Sequence, residues 1–147
     1  MLTLLDARGL PGAGVGDWIE DYVVAVVADM IEGVAGLERY PDGALLRSVA
    51  VADGAGGQGL GRALVEAVLA RAAAAGTPSV WLLTTTAERW FPRFGFRVTD
   101  RAAAPPGVAS SVEFREACPS SAVAMVLDGE TLSSRAAPSP VRPSAGP

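Results

Sequence analysis

The sequence predicts an α+β domain in which a meander of strands is followed by a helix and a further strand. Two observations support this prediction. Apolar segments separated by tight turns fill residues 22–52, and a glycine-rich stretch then leads into a segment with apolar residues three or four positions apart. Alternating and β-branched apolar residues favour strands, whereas the wider spacing indicates a helix. The 147 residues are enough to bury a core and fit one domain.

The elements follow in chain order. Leu2–Leu5 predicts a short opening strand, and the four glycines and one proline of Gly9–Gly16 predict an abbreviated loop. The remaining predictions are strands over Tyr22–Asp29, Ile31–Arg39, Gly43–Ala52 and Ser79–Thr84, and a helix that buries Leu64, Val68 and Ala72. Residues 129–147 are rich in proline, serine and alanine, which predicts a disordered tail after a domain over residues 1–128.

Composition argues against several classes of function. A net charge of −4 with scattered arginines gives no general attraction for nucleic acid. The single cysteine excludes an internal disulfide, and the lack of histidine removes the commonest zinc ligand, so we expect no metal. No apolar stretch reaches the roughly 18 residues that a membrane helix needs. We therefore expect a cytoplasmic protein that binds neither membranes nor nucleic acid.

The glycine-rich stretch Gly54–Gly61 has the character of an anion site. Its five glycines leave backbone N–H groups unobstructed, and a helix N-terminus follows. A P-loop would continue Gly-Lys-Ser/Thr, whereas the chain continues Gly61-Arg62-Ala63. A dinucleotide fingerprint would need an acidic residue after the next strand, which instead runs into threonines. The sequence favours a pyrophosphate site of a third kind.

That third kind resembles the acyl-CoA loop of the GCN5-related N-acetyltransferases (GNAT), Arg/Gln-x-x-Gly-x-Gly/Ala. One frame opens at Gly56 and lacks the expected side chain, while a frame opening at Gln58 satisfies the pattern. A second signature is similar to residues 87–96, where a short helix ends in an aromatic turn at Gly95-Phe96. The resemblance covers residues 1–128.

The resemblance implies a mixed, mostly antiparallel sheet that is flanked by helices and splayed between the family's fourth and fifth strands. These strands correspond to Gly43–Ala52 and Ser79–Thr84. Acetyl-CoA is the implied co-substrate, and no metal is implied. The residues implied to bind acetyl-CoA are Val49, Val51, Gly56, Gly57, Gln58, Gly59, Leu60, Gly61 and Arg62.

Three further segments, residues 82–87, 111–114 and 117–122, resemble the arsenic-resistance branch of the family, which is itself similar to a domain that acetylates glutamate. This implies acetyl transfer to the primary amine of a small amino-acid-like molecule, with an organoarsenical as one candidate. A non-catalytic CoA-binding module and a protein or peptide N-acetyltransferase are the alternatives. A homodimer is a further expectation, since dimers are common in the family.

The acceptor chemistry needs a base and a way to hold the substrate. Many relatives carry a glutamate on the fourth strand, where this chain offers Arg47 instead. Glu38 and Glu113 are the remaining candidates for the catalytic carboxylate, with ordinary solvated glutamates as the alternative. Arg47 is a candidate ligand for a substrate carboxylate, and a solvated strand arginine is its alternative.

Further residues have predicted roles in substrate binding or in the core. Thr84, Thr85 and Thr86 are candidate substrate-binding residues, although threonine is also a common strand residue. Phe91 occupies the position at which relatives often place a tyrosine acid, and it has no proton to donate. Cys118 is interpreted as a buried structural residue rather than an acetyl relay or an arsenic ligand, and Trp90 as part of the core.

Overall fold

The computed structural model describes residues 15–52, 59–117 and 121–136. Its strands are β1 (Tyr22–Val27), β2 (Met30–Tyr40), β3 (Gly43–Val51), β4 (Ser79–Thr84), β5 (Arg97–Thr99) and β6 (Val123–Asp128). Its α-helices are α1 (Leu60–Ala74), α2 (Pro106–Ala109) and α3 (Gly129–Ala136). Short 3-10 helices cover Val15–Asp21, Phe91–Phe94 and Arg101–Ala103, and a π-helix covers Glu113–Ala117. The predicted opening strand Leu2–Leu5 lies outside the described residues.

The six strands form one mixed sheet in the order β1-β2-β3-β4-β6-β5. Every neighbouring pair is antiparallel except β3 and β4, which are parallel. Within the described sheet these two strands pair only at Ala44 with Val80 and at Leu45 with Trp81. Both strands continue well beyond these pairs, so they diverge toward their carboxyl ends. The predicted mixed, mostly antiparallel sheet with its splay is confirmed.

Local backbone geometry shapes both hairpins of the meander. Ala28 and Asp29 have φ values of 50° and 66°, so a two-residue turn of left-handed residues ends β1 at Val27, earlier than predicted. In the next hairpin the register shifts where Val34 and Gly36 face β3, and Ser48 has a φ of 61°. This irregularity is a β-bulge, which bends β3 beside its divergence from β4.

The core lies mainly between one face of the sheet and α1. The helix buries Leu64, Val65, Val68, Leu69 and Ala72. The predicted helical stripe is therefore confirmed. The other face of the sheet carries a smaller apolar cluster that includes Leu45, Trp81, Val108 and Phe114. Because side chains alternate along a strand, Arg47 projects to the same face as Leu45, away from α1.

The predicted disordered tail is wrong for residues 129–136, which form α3. Leu132 is only 1% exposed and belongs to the main core, where α3 packs against α1. Leu132 supplies apolar surface that this otherwise polar segment can bury against the core. The composition of residues 129–147 as a whole does not indicate this single contact. Residues 137–147 lie outside the described residues. Among the helices that the structure describes, none combines the length and apolarity needed to cross a membrane.

Candidate active site

A cavity of about 180 Å³ lies where β3 and β4 diverge. Its walls come from both strands, from the segment after β4 and from the start of the π-helix. The lining residues are Leu46, Arg47, Ser48, Val49, Leu82, Leu83, Thr84, Thr86, Ala87, Trp90, Phe91 and Glu113. The splay therefore creates a partly open cavity with apolar, hydroxyl and charged groups in its wall.

The structure brings together most, but not all, of the predicted acceptor-site residues. Arg47, Glu113, Thr84 and Thr86 line the cavity. Thr85 lies in the bend that follows β4, is exposed and is not among the described lining residues. Thr84 also shapes the end of β4, since its Oγ1 accepts the N–H of Ala87 at 2.9 Å.

Arg47 connects the two candidate carboxylates. Its Nη1 donates to Oε2 of Glu38 at 2.7 Å, and its Nε lies 3.1 Å from Oε2 of Glu113. The side chains of Arg47, Glu38 and Glu113 are 0%, 2% and 5% exposed. The alternative interpretations of these three residues as solvated surface charges are wrong. Glu38 lies behind Arg47 and is not among the described residues of the cavity wall.

Hydroxyl groups complete this buried polar cluster. Nε of Arg47 also donates to Oγ of Ser48 at 3.1 Å, and the Tyr22 hydroxyl lies 3.0 Å from the same Oγ. The Tyr40 hydroxyl donates to Oε1 of Glu38 at 2.5 Å. We call Tyr22, Glu38, Tyr40, Arg47, Ser48 and Glu113 the buried polar cluster.

The electrostatics of the cluster favour an ionised arginine. Burial alone would lower the pKa of Arg47, but Glu113 and Glu38 raise it above its usual range. Burial raises the pKa of Tyr22, and burial together with the hydrogen bond to Glu38 raises the pKa of Tyr40. Both tyrosines are therefore held in the neutral form. Among the described residues, Arg47 forms ion pairs with both glutamates of the cluster.

The position of Glu113 depends on the π-helix that it begins. The N–H of Phe114 donates to Oγ of Ser111 at 3.2 Å, and Arg101 donates from Nη2 to the Phe114 carbonyl at 2.8 Å. The Phe114 ring packs edge-on against Trp81 of β4, with centroids 6.4 Å apart. These contacts fix the segment against the sheet, so that the Glu113 carboxylate faces the cavity. π-helical turns occur frequently at functional sites.

The N-terminus of α1 has the features of an anion site in the part that the structure describes. Gly59 has a φ of 72°, and the first helical hydrogen bond runs from the Ala63 N–H to the Gly59 carbonyl at 3.1 Å. The N–H groups of Leu60, Gly61 and Arg62 therefore precede the helical bonding pattern. No acidic residue occupies the first turn. Gly56, Gly57 and Gln58 lie outside the described residues, so both frames of the loop pattern stay open.

Comparison with known families identifies the chain. The sequence model described as "Acetyltransferase (GNAT) domain" matches residues 18–98, more than half of the chain. The protein belongs to the GNAT acetyltransferase family. It is therefore an acyltransferase of the acetyl-CoA-dependent N-acetyltransferase type. No curated protein matches the chain.

Solved structures share the GNAT fold. Rv2747 from Mycobacterium tuberculosis, determined with CoA and a second ligand, has a TM-score of 0.72 at 21% identity, over 86% of this chain and 90% of that one. N-acetylglutamate synthase from Neisseria gonorrhoeae, with CoA and N-acetyl-glutamate, has a TM-score of 0.70 at 18% identity. That match covers 84% of this chain but only 30% of the Neisseria chain. The Escherichia coli ribosomal-protein-S18-alanine N-acetyltransferase has a TM-score of 0.55 at 25% identity, over 74% and 70% of the two chains.

Several wall residues of this GNAT domain were not predicted as part of the site. Trp90 lines the cavity, so its interpretation as a core residue is incomplete. Its ring contacts Phe91 and Phe94 edge-on, with centroids 5.0 Å away in each case. A methyl group added at Gly61 would lie 3.6 Å from Trp90, which places this indole beside the start of α1. Phe91 is 6% exposed and also lines the cavity. Cys118 lies outside the described residues.

Proposed function

We propose that this GNAT enzyme transfers an acetyl group from acetyl-CoA to the primary amine of a small amino-acid-like molecule. The observation that carries the proposal is the Glu113 carboxylate in the wall of the cavity between the diverging strands. A carboxylate in the wall of such a cavity attracts an ammonium group and can accept its proton. The cavity volume of about 180 Å³ supports a small acceptor.

The β3 backbone and the start of α1 would hold acetyl-CoA. The pyrophosphate would be bound by Leu60, Gly61 and Arg62 N–H groups, where the helix dipole favours negative charge. Val49 and Val51 lie on β3 beyond its last pair with β4, so their backbone groups suit the amides of pantetheine. This arrangement would direct the thioester into the cavity beside Glu113.

Proton transfer precedes attack in the proposed reaction. Glu113 binds the acceptor as an ammonium ion and removes one proton, which leaves a neutral amine nitrogen with a lone pair. That nitrogen attacks the thioester carbonyl carbon, its second proton passes to solvent, and the carbon–sulfur bond breaks as the neutral amide forms. The electron pair of the broken bond stays on sulfur. Phe91 offers no proton, and a thiol with a pKa of about 8.5 leaves as a thiolate that solvent protonates.

The wall residues would then set the shape of the acceptor site. Thr84 and Thr86 present hydroxyl groups to one side of the cavity, while Leu46, Leu82 and Phe91 provide apolar surface. A short polar molecule with an apolar or soft side chain suits this lining. An organoarsenical amino acid is one such acceptor, and glutamate and phosphinic amino acids are others of similar size. Action in the cytoplasm, possession of no metal and formation of a homodimer remain predictions.

A peptide N-terminus is the second candidate acceptor. The E. coli neighbour acts on an alanine of a ribosomal protein, as its name states, and shares 25% identity over 74% of this chain. A peptide would have to reach Glu113 from the open side of the splay. The cavity volume favours the small acceptor over the peptide.

The deciding experiment measures CoA release from acetyl-CoA with a panel of acceptors. The panel contains glutamate, a phosphinic amino acid, an arsenical amino acid and an alanine-initiated peptide. Saturable turnover with a small amino acid, together with a mass increase of one acetyl group on its nitrogen, is the expected result. Turnover with the peptide alone would overturn the small-acceptor proposal, and the absence of turnover with every member would reject the proposed acceptor class.

A further inference from the structure

Arg47 is already engaged by the protein at two of its nitrogen atoms. Nη1 is 2.7 Å from Glu38 and Nε is 3.1 Å from Glu113, and the arginine side chain is fully buried. A substrate carboxylate bound in bidentate fashion needs two parallel N–H donors on one edge of the guanidinium. Glu113 and the Ser48 hydroxyl share the Nε donor, and Glu38 takes a donor of Nη1. The predicted role of Arg47 as a substrate ligand therefore lacks support from this geometry.

Glu38 is equally ill placed for contact with an acceptor. It pairs with Leu45 across the β2–β3 hairpin, is 2% exposed and lies outside the described cavity wall. Its two carboxylate oxygens bind Arg47 and the hydroxyl of Tyr40. Glu38 thus holds Arg47 from behind, while Arg47 contacts Glu113 in front.

We propose that Arg47 and Glu38 are positioning residues that fix the carboxylate of Glu113 at the cavity, so that the acceptor is recognised through its ammonium group and not through a carboxylate on Arg47. This inference rests on the proposed function and assigns roles within the same site. The guanidinium holds one oxygen of Glu113 and is itself held by Glu38. The Glu113 carboxylate in the cavity wall then favours a cationic acceptor.

Kinetics with two matched acceptors separate positioning from substrate binding. The variants are Arg47→Lys and Glu38→Gln, and the acceptors are an amino acid substrate and the amine obtained by removing its α-carboxylate. Lysine keeps the positive charge but loses the two-pronged geometry. For positioning residues we expect kcat to fall about 10- to 100-fold with both acceptors, since small displacements of reacting groups have effects of this size. The ratio of the two KM values should stay as in the wild type.

Direct binding of the substrate carboxylate by Arg47 would give a different kinetic result. If Arg47 binds the substrate carboxylate, Arg47→Lys raises KM for the amino acid and leaves KM for the decarboxylated amine unchanged, which would overturn the proposal. Arg39→Lys is the matched control, because Arg39 is an ion-paired arginine on β2 whose side chain is 51% exposed. It should leave both kinetic constants unchanged.

Hydrogen exchange tests the positioning role without turnover. In the wild type the Phe114 N–H donates to Ser111 Oγ, and the Arg115 N–H donates to the Ser111 carbonyl at 3.0 Å. Arg47→Lys and Glu38→Gln should speed exchange at residues 113–115 at least tenfold while α1 keeps its protection. Unchanged exchange at residues 113–115 in both folded variants would reject positioning. Absence of wild-type turnover would instead reject the proposed function, so the two failures are distinguishable.

Discussion

The phenol ring of Tyr22 lies directly over the α-carbon of Gly36 on the neighbouring strand, where any β-carbon would overlap the ring. The two residues face each other in the β1–β2 ladder. This close approach lets the Tyr22 hydroxyl reach Oγ of Ser48 on β3, two strands away. Gly36 therefore makes room for a contact that extends the buried polar cluster across three strands.

Gly36→Ala should destabilise the protein by about 1–3 kcal/mol, the usual cost of overpacking a buried site. The added methyl group would displace the Tyr22 ring from Ser48. Urea denaturation measures the loss. Gly16→Ala is the control, because a β-carbon at Gly16 would meet no atom within 4 Å. Equal stability of the two variants would contradict the packing argument.

Alkaline pH should destabilise the fold through its tyrosines. The pKa values of Tyr22 and Tyr40 are raised in the folded protein from a usual value of 10.0. A raised pKa contributes stability that is fully present below pH 10 and is lost as the pH rises through the folded-state values. The chain has only two tyrosines, and all 12 of its basic side chains are arginine, so little else titrates in this range.

Urea midpoints between pH 8 and pH 11.5 measure this effect. The wild type should lose stability progressively above pH 10, and Tyr22→Phe and Tyr40→Phe should each reduce the slope. The double variant should show the flattest profile. A slope that persists unchanged in the double variant would mean that other groups cause the alkaline loss.

Gly59→Val should abolish binding of CoA, because Gly59 has a φ of 72° at the start of α1. A β-branched residue strains this left-handed conformation and distorts the N–H groups that follow it. Gly76→Val is a closely matched control, with a φ of 71° and an equally open surrounding at the other end of the helix. Both variants should lose similar stability, by about 1–2 kcal/mol.

Calorimetric titration with CoA distinguishes the two glycine variants. Only Gly59→Val should lose binding, whereas Gly76→Val should bind like the wild type. If both variants retained wild-type affinity, the start of α1 would not be the pyrophosphate site.

Glu113→Gln should lower kcat by at least about 10²-fold, the smaller end of the range for a general base. Glutamine keeps the size of the side chain but cannot accept the proton of an ammonium ion. Glu88→Gln is the control, since Glu88 is exposed and adjoins the cavity residue Ala87 in the chain. Steady-state rates with the best acceptor at saturating acetyl-CoA provide the measurement. Equal rates for the two variants would remove Glu113 from the reaction.

Leu132→Ala should destabilise the protein by about 2–5 kcal/mol, as expected when a buried leucine is truncated. The residue is 1% exposed and joins α3 to the main core. Ser133→Ala, at the adjacent exposed position, should change stability by less than about 0.5 kcal/mol. Thermal unfolding compares the two, and a neutral Leu132→Ala would show that α3 contributes little to the fold.

The sequence predicted the elements whose patterns are local. The meander and the α1 stripe were recognisable because alternation and helical spacing both report burial along one segment. The boundaries were less accurate, since the turn at Ala28 and Asp29 depends on a positive φ at two residues that are not glycine. Helix α3 was missed because a single buried leucine has no periodic signal.

The candidate site was only partly predictable. Glu38, Arg47 and Glu113 were each identified as candidates, but their contacts join residues up to 66 positions apart, and no local pattern reports such pairing. A usable signal was present: Glu38 and Arg47 interrupt strands that are otherwise mainly apolar, which indicates charges buried with partners. Trp90 gave no comparable signal, because aromatic residues fill both cores and cavities.

Because β3 and β4 pair at only two positions, the stability of the sheet should depend on a ligand bound between them. A ligand that bridges the diverging edges of β3 and β4 would connect the two strands where they form no hydrogen bonds with each other. It would bind only the folded state. By mass action, a ligand at 100 times its dissociation constant adds about 2.7 kcal/mol of stability. The lifetime of the protein in a proteolytic environment should therefore rise and fall with the supply of acetyl-CoA.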